Sequence, residues 1–386
     1  MIFRVSSLSM REKECALCGE RSRTISKAIG VCVNCLRESP NEALKVAMEA
    51  HRRSRGRYGL PQEPPRSPKG VKCPFCANEC QIPEGGYGFC GLVRNEGGHL
   101  VRLAGLPRSG LLDWYYDPLP TNCVAEWMCP GCTGAGYPDY AYSDGPEVGY
   151  YNLAVFYGAC NLDCLFCQNW QYRRMTAALR PLVSYESLAA KVHDRVSCVC
   201  YFGGDPGPQM PHALAASRAM LERARGRILR VCWETNGLMN KAYLKRAVEL
   251  SLRSGGIIKF DVKAWTPSVY KALTGSDNGP LFENIKLAAE YMELRRGLPL
   301  VMVSVLLVPG YVDLHEVRMI AKFVADVNPE IPYSLLAFHP DYMMDDLPPT
   351  SSSHAMAAVK VMREEGVENV NVGNVWLLGD YYDVSL

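Results

Sequence analysis

The residues with the most distinctive chemistry in this 386-residue sequence are its seventeen cysteines. Most of them fall into four tight groups, and such spacing in a long chain indicates metal ligands rather than disulfides. The groups are Cys15/Cys18/Cys32/Cys35, Cys73/Cys76/Cys80/Cys90, Cys123/Cys129/Cys132 and Cys160/Cys164/Cys167. Cys198, Cys200 and Cys232 stand apart in strand-like runs, and we expect them to pack in the core.

The Cys160 group has the spacing C-x3-C-x2-C, with Phe166 directly before Cys167. A [4Fe–4S] cluster normally takes four thiolates, so three cysteines in one loop leave one iron open to another ligand. A zinc knuckle is the alternative, but zinc would need a fourth protein ligand at matching spacing. We therefore expect Cys160, Cys164 and Cys167 to hold a catalytic iron–sulfur cluster.

The other three groups differ in how clearly their spacing indicates a metal. The Cys15 group has the paired C-x2-C spacing of a zinc ribbon and predicts structural zinc; partner docking or a rubredoxin-like iron centre are the alternatives. The Cys73 group fits either zinc or an auxiliary [4Fe–4S] cluster. The Cys123 group has no evident fourth ligand. It either borrows one and staples a loop over the mouth of the fold, or holds a cluster with an open iron or supplies a catalytic cysteine.

Changes in composition along the chain predict its domains. Residues 1–58 form a zinc-ribbon-like module, 59–70 a Pro-rich linker and 71–150 a cysteine-rich region of metal-stapled loops. Residues 151–376 form the main domain and 377–386 a C-terminal tail.

The main domain alternates apolar strand-like runs with amphipathic helix-like stretches, which predicts parallel strands joined by right-handed crossovers. The strands are expected at 152–158, 197–202, 227–233, 256–262, 300–308, 332–338 and 369–373, and the helices near 185–194, 211–225, 240–253, 280–296, 313–327 and 352–365. The fold class is therefore α/β, with a partial or full (β/α) barrel. Chemistry in such barrels lies at the carboxyl ends of the strands.

Polar motifs do follow consecutive predicted strands. Gly203-Gly204-Asp205-Pro206 follows the second strand and Glu234-Thr235-Asn236-Gly237 the third, while Asp261 and Lys263 end the fourth and His339 the sixth. Polar side chains at successive strand ends indicate a cofactor site rather than a structural core.

Together, these motifs resemble those of the radical S-adenosylmethionine (SAM) superfamily. Within it, the sequence is similar to the pyruvate formate-lyase activating enzyme family, and more closely to its AmmeMemoRadiSam-type members, over about residues 71–376. Further similar segments are Leu273-Thr-Gly275, Asn284-Ile285, Val308-Pro-Gly310, Phe338-His-Pro-Asp-Tyr342, Asp346-Leu-Pro-Pro-Thr350 and Val372-Gly-Asn-Val375.

The resemblance implies that SAM binds the open iron and is bordered by residues of the strand-end motifs. In this sequence the implied cofactor-binding residues are Phe166, Gly203, Gly204, Asp205, Pro206, Glu234, Thr235, Asp261, Lys263 and His339. Asp261 and Lys263 would contact SAM, and His339 its ribose. The implied activity is that of an oxidoreductase, in which reductive cleavage of SAM gives a 5′-deoxyadenosyl radical that abstracts hydrogen.

The substrate is less defined than the radical chemistry. The activating-enzyme resemblance favours a protein or peptide; a small molecule, cofactor or lipid is the alternative. The alternative from another functional class is a non-catalytic electron-transfer or metal-binding protein. A reductant such as ferredoxin or flavodoxin is the expected partner.

Composition argues against other classes of function. A net charge of +2 with 21% charged residues does not indicate a nucleic-acid or membrane binder. The N-terminus lacks the apolar core of a secretory signal, and the longest apolar run, 298–308, is too short to span a bilayer. We therefore expect a cytoplasmic protein.

Overall fold

The computed structural model describes residues 11–121 and 123–384. Its N-terminal part is a small hairpin followed by two helices: β1 (Lys13–Glu14), β2 (Arg21–Ser22), α1 (Val33–Glu38) and α2 (Pro40–Gly56). The Cys32 side chain accepts a bond from the Cys35 N–H and caps α1. Pro40 occupies the first turn of α2, where a backbone N–H would have no hydrogen-bond partner within the helix, so proline is tolerated there.

The next part of the chain consists of short hairpins and one long strand. Its elements are β3 (Val71–Lys72), β4 (Gln81–Ile82), β5 (Val93–Glu96), β6 (His99–Arg102), β7 (Gly110–Pro118) and α3 (Pro130–Thr133). The nine-residue β7 was not expected, since the region was predicted to be loops. It pairs antiparallel with the first strand of the main domain and so belongs to the main sheet.

The main domain contains all seven predicted strands and the six predicted helices, and in addition two helices, α4 and α8, and the short strand β9. Its elements are β8 (Tyr151–Tyr157), α4 (Tyr172–Ala178), β9 (Leu182–Val183), α5 (Tyr185–Ala189), β10 (Val196–Gly203), α6 (Met210–Ala224), β11 (Arg230–Thr235), α7 (Lys241–Ser254), β12 (Ile258–Val262), α8 (Pro267–Thr274), α9 (Gly279–Ala289), β13 (Val301–Leu307), α10 (Leu314–Val327), β14 (Tyr333–Ala337), α11 (Ser352–Glu364) and β15 (Val370–Gly373).

The main sheet has nine strands in the order β15-β14-β13-β12-β11-β10-β8-β7-β9. Strands β8 and β10 to β15 are parallel, as the alternation of strands and helices predicts. Within the described residues, β15 and β9 form open edges, so the barrel is partial rather than closed. In the same part of the chain, no helix combines the length and the apolar character needed to cross a bilayer.

The two faces of the parallel strands differ in chemistry. On β12, Phe260 and Val262 are fully buried on one face, whereas Lys259, Asp261 and Lys263 point from the other into a cavity. Since side chains alternate along a strand, the apolar residues pack beneath the helices and the polar ones face the inside of the partial barrel.

The N-terminal part docks on loops of the main domain. The carboxylate of Asp346 accepts hydrogen bonds from the Ser26 hydroxyl at 3.0 Å and the Lys27 N–H at 2.9 Å. Arg37 donates to both oxygens of Asp313, at 2.8 and 2.7 Å. Asp346 is the first residue of the family-like segment Asp346–Thr350. Part of the sequence similarity to the family therefore lies where the N-terminal part contacts the main domain. The domain boundaries given above stay predictions.

Candidate functional site

A cavity of about 370 Å³ lies at the carboxyl ends of the parallel strands. Residues from the loop after β8 and from β15 both line it, although these strands are far apart in the sheet. The sheet must therefore curve around the cavity. Of the predicted site residues, the cavity is lined by Cys160, Cys164, Phe166, Cys167, Gly203, Gly204, Asp205, Glu234, Thr235, Asp261 and Lys263. Pro206 and His339 do not line it; His339 bonds Asp341 at 2.8 Å.

The three cysteines after β8 reach the cavity from one loop. Cys160 is buried, and its sulfur accepts bonds from the Leu162 N–H at 3.3 Å and the Asn236 amide at 3.6 Å. Burial raises the pKa of Cys164 to about 12, although Lys263 acts in the opposite direction. A metal that binds here must displace the thiol protons, and the neighbouring Lys263 ammonium favours the thiolate form.

Asp163, inside this loop, anchors it to the N-terminal helix α2. Its carboxylate accepts bonds from Arg173 Nη2 at 2.6 Å, Ser54 Oγ at 3.0 Å and His51 Nδ1 at 3.0 Å. Burial alone would raise the pKa of Asp163, but Arg173 and His51 outweigh it and hold this pKa well below its usual value. The Asp163 N–H also donates to the Thr274 carbonyl at 2.7 Å, which fixes the loop to the end of α8.

The Gly203-Gly204 turn allows the chain to pass close to the cysteine loop. A Cβ at Gly203, where φ is +110°, would meet the Tyr157 nitrogen at 2.5 Å, and one at Gly204 would meet the Ala159 oxygen at 2.2 Å. The N–H groups of Gly204 and Asp205 are used within the turn, donating to Tyr157 and Ala159. These two N–H groups are therefore already used and do not point to a ligand.

Asp205 joins this turn to the one that follows β11. Its buried carboxylate accepts bonds from the Asn236 N–H at 2.7 Å, the Gly207 N–H at 2.7 Å and the Thr235 hydroxyl at 3.0 Å. Burial raises the pKa of Asp205 to about 6 despite these bonds. Asn284 supports the second turn by donating to the Gly237 carbonyl at 2.7 Å.

Charged side chains of β11 and β12 form the opposite wall. Lys259 Nζ lies 2.6 Å from a Glu234 oxygen and 3.0 Å from the Cys123 sulfur. Asp261 pairs with Lys263 through Oδ2, while its buried Oδ1 has no hydrogen-bond partner among the described residues. An unused buried carboxylate oxygen, together with three thiols, fits a zwitterionic ligand bound beside a metal cluster.

Several cavity residues were not predicted from the sequence. Lys259, Asn236, Asn371 and Asn374 all line the cavity. The alternation of Lys259 with Asp261 and Lys263 could have revealed this, because polar residues at every second position of a strand indicate that one side of the strand faces a polar environment. Asn374, with φ +57°, lies just beyond β15 in the family-like Val372–Val375 segment.

The four N-terminal cysteines form a compact group that can hold one metal ion. The Cys15 and Cys35 sulfurs are 3.7 Å apart, as are those of Cys18 and Cys32, and all four lie within 4.8 Å of one another. A tetrahedral metal with bonds of about 2.3 Å holds sulfurs about 3.8 Å apart. In the described part of the chain, no other set of three or more potential ligands is equally compact.

The Cys73 group lies on the outer side of the cysteine loop. The Ala77 N–H donates to the Leu238 carbonyl at 2.8 Å, and the Asn78 amide to the Asn161 carbonyl at 2.7 Å. The Asn161 side chain accepts a bond from Asn236, the residue that contacts Cys160. The Cys73 group is thus linked to the Cys160 group through Asn78, Asn161 and Asn236.

The Cys123 group lies on a loop inside the partial barrel. Cys123 lines the cavity, whereas Cys129 and Cys132 are buried below it. The loop contacts Ser334 and Lys259, each the second residue of its strand, so it fills the interior near the amino ends of the strands. The predicted alternative of a loop stapled over the mouth is therefore wrong.

We expect Asp163→Asn to lower the free energy of unfolding by about 3–5 kcal/mol, because it leaves the buried Arg173 without a counter-charge. Urea denaturation monitored by circular dichroism measures the change. Asp277→Asn is the matched control, since Asp277 pairs with Lys271 on the surface at 3.3 Å. The control should stay within about 0.5 kcal/mol of the parent; equal effects of the two changes would contradict the anchoring role.

The chain is similar to known proteins in sequence and in structure. Residues 154–324 match the Radical SAM superfamily. An uncharacterised protein of Methanocaldococcus jannaschii is 26% identical over 310 residues, which make up 79% of this chain and 81% of that protein. A domain of pyruvate-formate lyase-activating enzyme from Bacteroides vulgatus is similar in structure over 46% of this chain and 98% of that chain, with 19% identity and a TM-score of 0.37. SuiB of Streptococcus suis, bound to precursor peptide SuiA, is similar over 56% of this chain and 47% of that chain, with 14% identity and a TM-score of 0.41.

Proposed function

The chain contains a radical SAM domain, and we propose that it is an enzyme that reductively cleaves SAM and then abstracts hydrogen from a substrate. The observation that supports this most directly is the convergence of Cys160, Cys164 and Cys167 with Asp261 and Lys263 on one cavity. Three thiols and an unpaired buried carboxylate oxygen suit a cluster with an open iron and a bound amino acid moiety.

The three cysteines would hold a [4Fe–4S] cluster. When bound, the cluster supplies the electron that splits the SAM sulfonium into methionine and a 5′-deoxyadenosyl radical. Ferredoxin or flavodoxin would be the reductant. The protein's own residues bind and orient SAM, and they exclude water from the cavity.

The charges around the cavity suggest how SAM is oriented. Asp205 and Asp261 would attract its ammonium and sulfonium groups, whereas Lys263 would attract its carboxylate. Phe166 lies beside the cluster cysteines and is buried, which keeps water from that side. Glu234 and Thr235 line the wall on which the methionyl chain or the ribose would lie. His339 would contact the ribose if it turns from Asp341 toward the cavity.

A protein or peptide is the substrate class that we favour. The cavity rim at Asn374 continues into Val375 and Trp376, whose side chains are 55% and 62% exposed. Exposed apolar side chains beside an active site are typical of protein or peptide docking. A small molecule, cofactor or lipid is the second candidate, because the cavity of about 370 Å³ is of the size that small ligands occupy.

The N-terminal cysteine group would hold structural zinc. Its sulfur spacing fits a single tetrahedral ion, and the module around it is too small to fold on its own core. Because this module supports the Asp163 loop through α2, zinc there would stabilise the active site from a distance. The Cys73 group would hold either zinc or an auxiliary cluster.

The anaerobically reconstituted protein should release 5′-deoxyadenosine and methionine in equal amounts when dithionite and SAM are added. Cys164→Ala should lower this release at least a hundredfold, because the cluster loses a ligand at the cavity. Cys198→Ala is the matched control, a buried cysteine outside the four groups, and should retain activity. Absence of SAM cleavage by an iron-loaded parent would favour the non-catalytic electron-transfer or metal-binding alternative.

Asp261→Asn should weaken SAM binding by about ten- to a hundredfold, because a hydrogen bond to a charged group contributes on the order of 1.5–3 kcal/mol. Equilibrium dialysis with the cluster-loaded protein measures the dissociation constant. Glu283→Gln, an exposed change on α9, serves as the control. Equal affinity of the two variants would remove Asp261 from the SAM site.

Replacing Cys15 and Cys35 together by Ala should remove one zinc per chain and lower the melting temperature, while iron content stays unchanged. Elemental analysis of the full-length protein provides the count, with Cys198→Ala as the control. Iron lost instead of zinc would mean that the site is a rubredoxin-like centre.

A further inference from the structure

Six cysteines gather in the interior of the partial barrel, below the cavity. Cys129, Cys132 and Cys198 pack together with Ile257 and Met302. Cys200 and Cys232 face each other across β10 and β11 as register partners. Cys123 completes the set at the cavity floor. Five of the six are buried, as free cysteines commonly are, so it is their grouping in one place that suggests a shared role.

The loop that holds three of these cysteines is fixed at both sides. Toward β14, the Trp127 indole donates to the Ser334 hydroxyl at 3.0 Å, and Ser334 donates to the Val124 carbonyl at 2.9 Å. Toward β11, the Glu147 N–H donates to the Gly131 carbonyl at 3.0 Å. The buried Arg230 binds the Glu147 carboxylate at 2.7 and 2.6 Å. Contacts within the protein therefore hold the segment that contains Cys123, Cys129 and Cys132 in place.

Cys232 lies between the two contacts that join this loop to β11. Arg230, two residues before it, packs so closely that a Cβ at Gly131 would meet its Nη2 at 2.9 Å. Glu234, two residues after it, shares the Lys259 ammonium with Cys123. Because alternate residues of a strand face the same side, Cys232 points toward the loop cysteines. Of the strand cysteines, Cys232 is the one with a contact to the loop on each side along its strand, and we take it as the candidate fourth ligand.

Two buried cations border these cysteines, and each pairs with a carboxylate. Lys259 Nζ lies 3.0 Å from the Cys123 sulfur and also pairs with Glu234, while Arg230 pairs with Glu147. The Lys259 ammonium can therefore donate a hydrogen bond to a thiolate at Cys123. A hydrogen bond to a ligand sulfur also tunes the reduction potential of an iron–sulfur cluster.

The lack of compact single-ion spacing at these cysteines favours a cluster over a single ion. In the described residues, the compact spacing that a lone tetrahedral metal requires is found in the Cys15 group and not here. Four thiolates bound to different irons of one cluster lie farther apart than four thiolates on one zinc, whose sulfurs are about 3.8 Å from one another.

We propose that Cys123, Cys129, Cys132 and Cys232 hold a second iron–sulfur cluster, of the [4Fe–4S] class, inside the barrel. Since Cys123 and Glu126 line the cavity, this cluster site shares a wall with the SAM site and faces the Cys160 group across it. The proposal does not depend on SAM cleavage, because it concerns iron binding alone.

The test starts from a variant in which Cys160, Cys164 and Cys167 are all Ala, reconstituted anaerobically with iron and sulfide. Adding Cys129→Ala and Cys132→Ala should remove about four irons per chain relative to that variant. Adding Cys232→Ala should lower iron or convert the EPR signal to that of a three-iron cluster. Adding Cys198→Ala, the matched control, should change neither. Any iron at the Cys73 group is common to all variants and cancels in the comparison.

Unchanged iron after removal of Cys129 and Cys132 would overturn the site, and zinc bound there would overturn the cluster. Iron lost with Cys198→Ala instead of Cys232→Ala would overturn the ligand set. Should the variants lose their fold, judged by circular dichroism and by loss of the N-terminal metal, Cys232→Ser in the otherwise native chain decides. Serine keeps the size and can still bind iron, so an altered EPR spectrum is expected, and an unaltered one overturns the proposal.

Discussion

The carboxylate of Asp163 lies between two cysteines of the cavity and receives hydrogen bonds from Arg173, Ser54 and His51. A buried carboxylate is stable only when such partners surround it, so the loop has one acceptable position. That position places Cys160, Cys164 and Cys167 at the carboxyl ends of the strands. The N-terminal helices, the end of α8 and the cysteine loop are thereby parts of one structure.

The same constraint explains why the N-terminal part docks so tightly. Its contacts with Asp346 and Asp313 keep α2 in register with the loop, so His51 and Ser54 reach Asp163. Several of the segments that resemble the family therefore support the cavity indirectly, by holding the N-terminal part and the cysteine loop in position. Gly310 is close to Thr24, where a Cβ would meet the Thr24 oxygen at 2.4 Å, and Thr274 accepts the Asp163 amide. These residues position the site without touching the cavity.

The sequence predicted the seven parallel strands and most of the cavity lining, because both depend on local patterns. Apolar runs mark strands, and polar motifs such as Gly203–Pro206 follow them at fixed places. The Asp163 anchor could not be predicted, since His51 and Ser54 come more than a hundred residues earlier in the chain. Strand β7 was missed because the sequence around it is rich in turn residues, and its pairing with β8 is a tertiary contact that the local pattern does not reveal. The interior role of Lys259 was missed because residues 256–262 were interpreted as an apolar strand with polar residues only at its end.

The order of these elements along the chain has a consequence for biosynthesis. Helix α2 leaves the ribosome well before the loop that contains Asp163, and N-terminal units generally fold first during synthesis. Two partners of the carboxylate, His51 and Ser54, are thus synthesised before the cysteine loop emerges, and Arg173 follows ten residues after Asp163, so the loop can close onto α2 soon after its synthesis. A polypeptide with the two parts in reverse order would expose an uncompensated acid and reactive thiols for the time needed to translate the remainder.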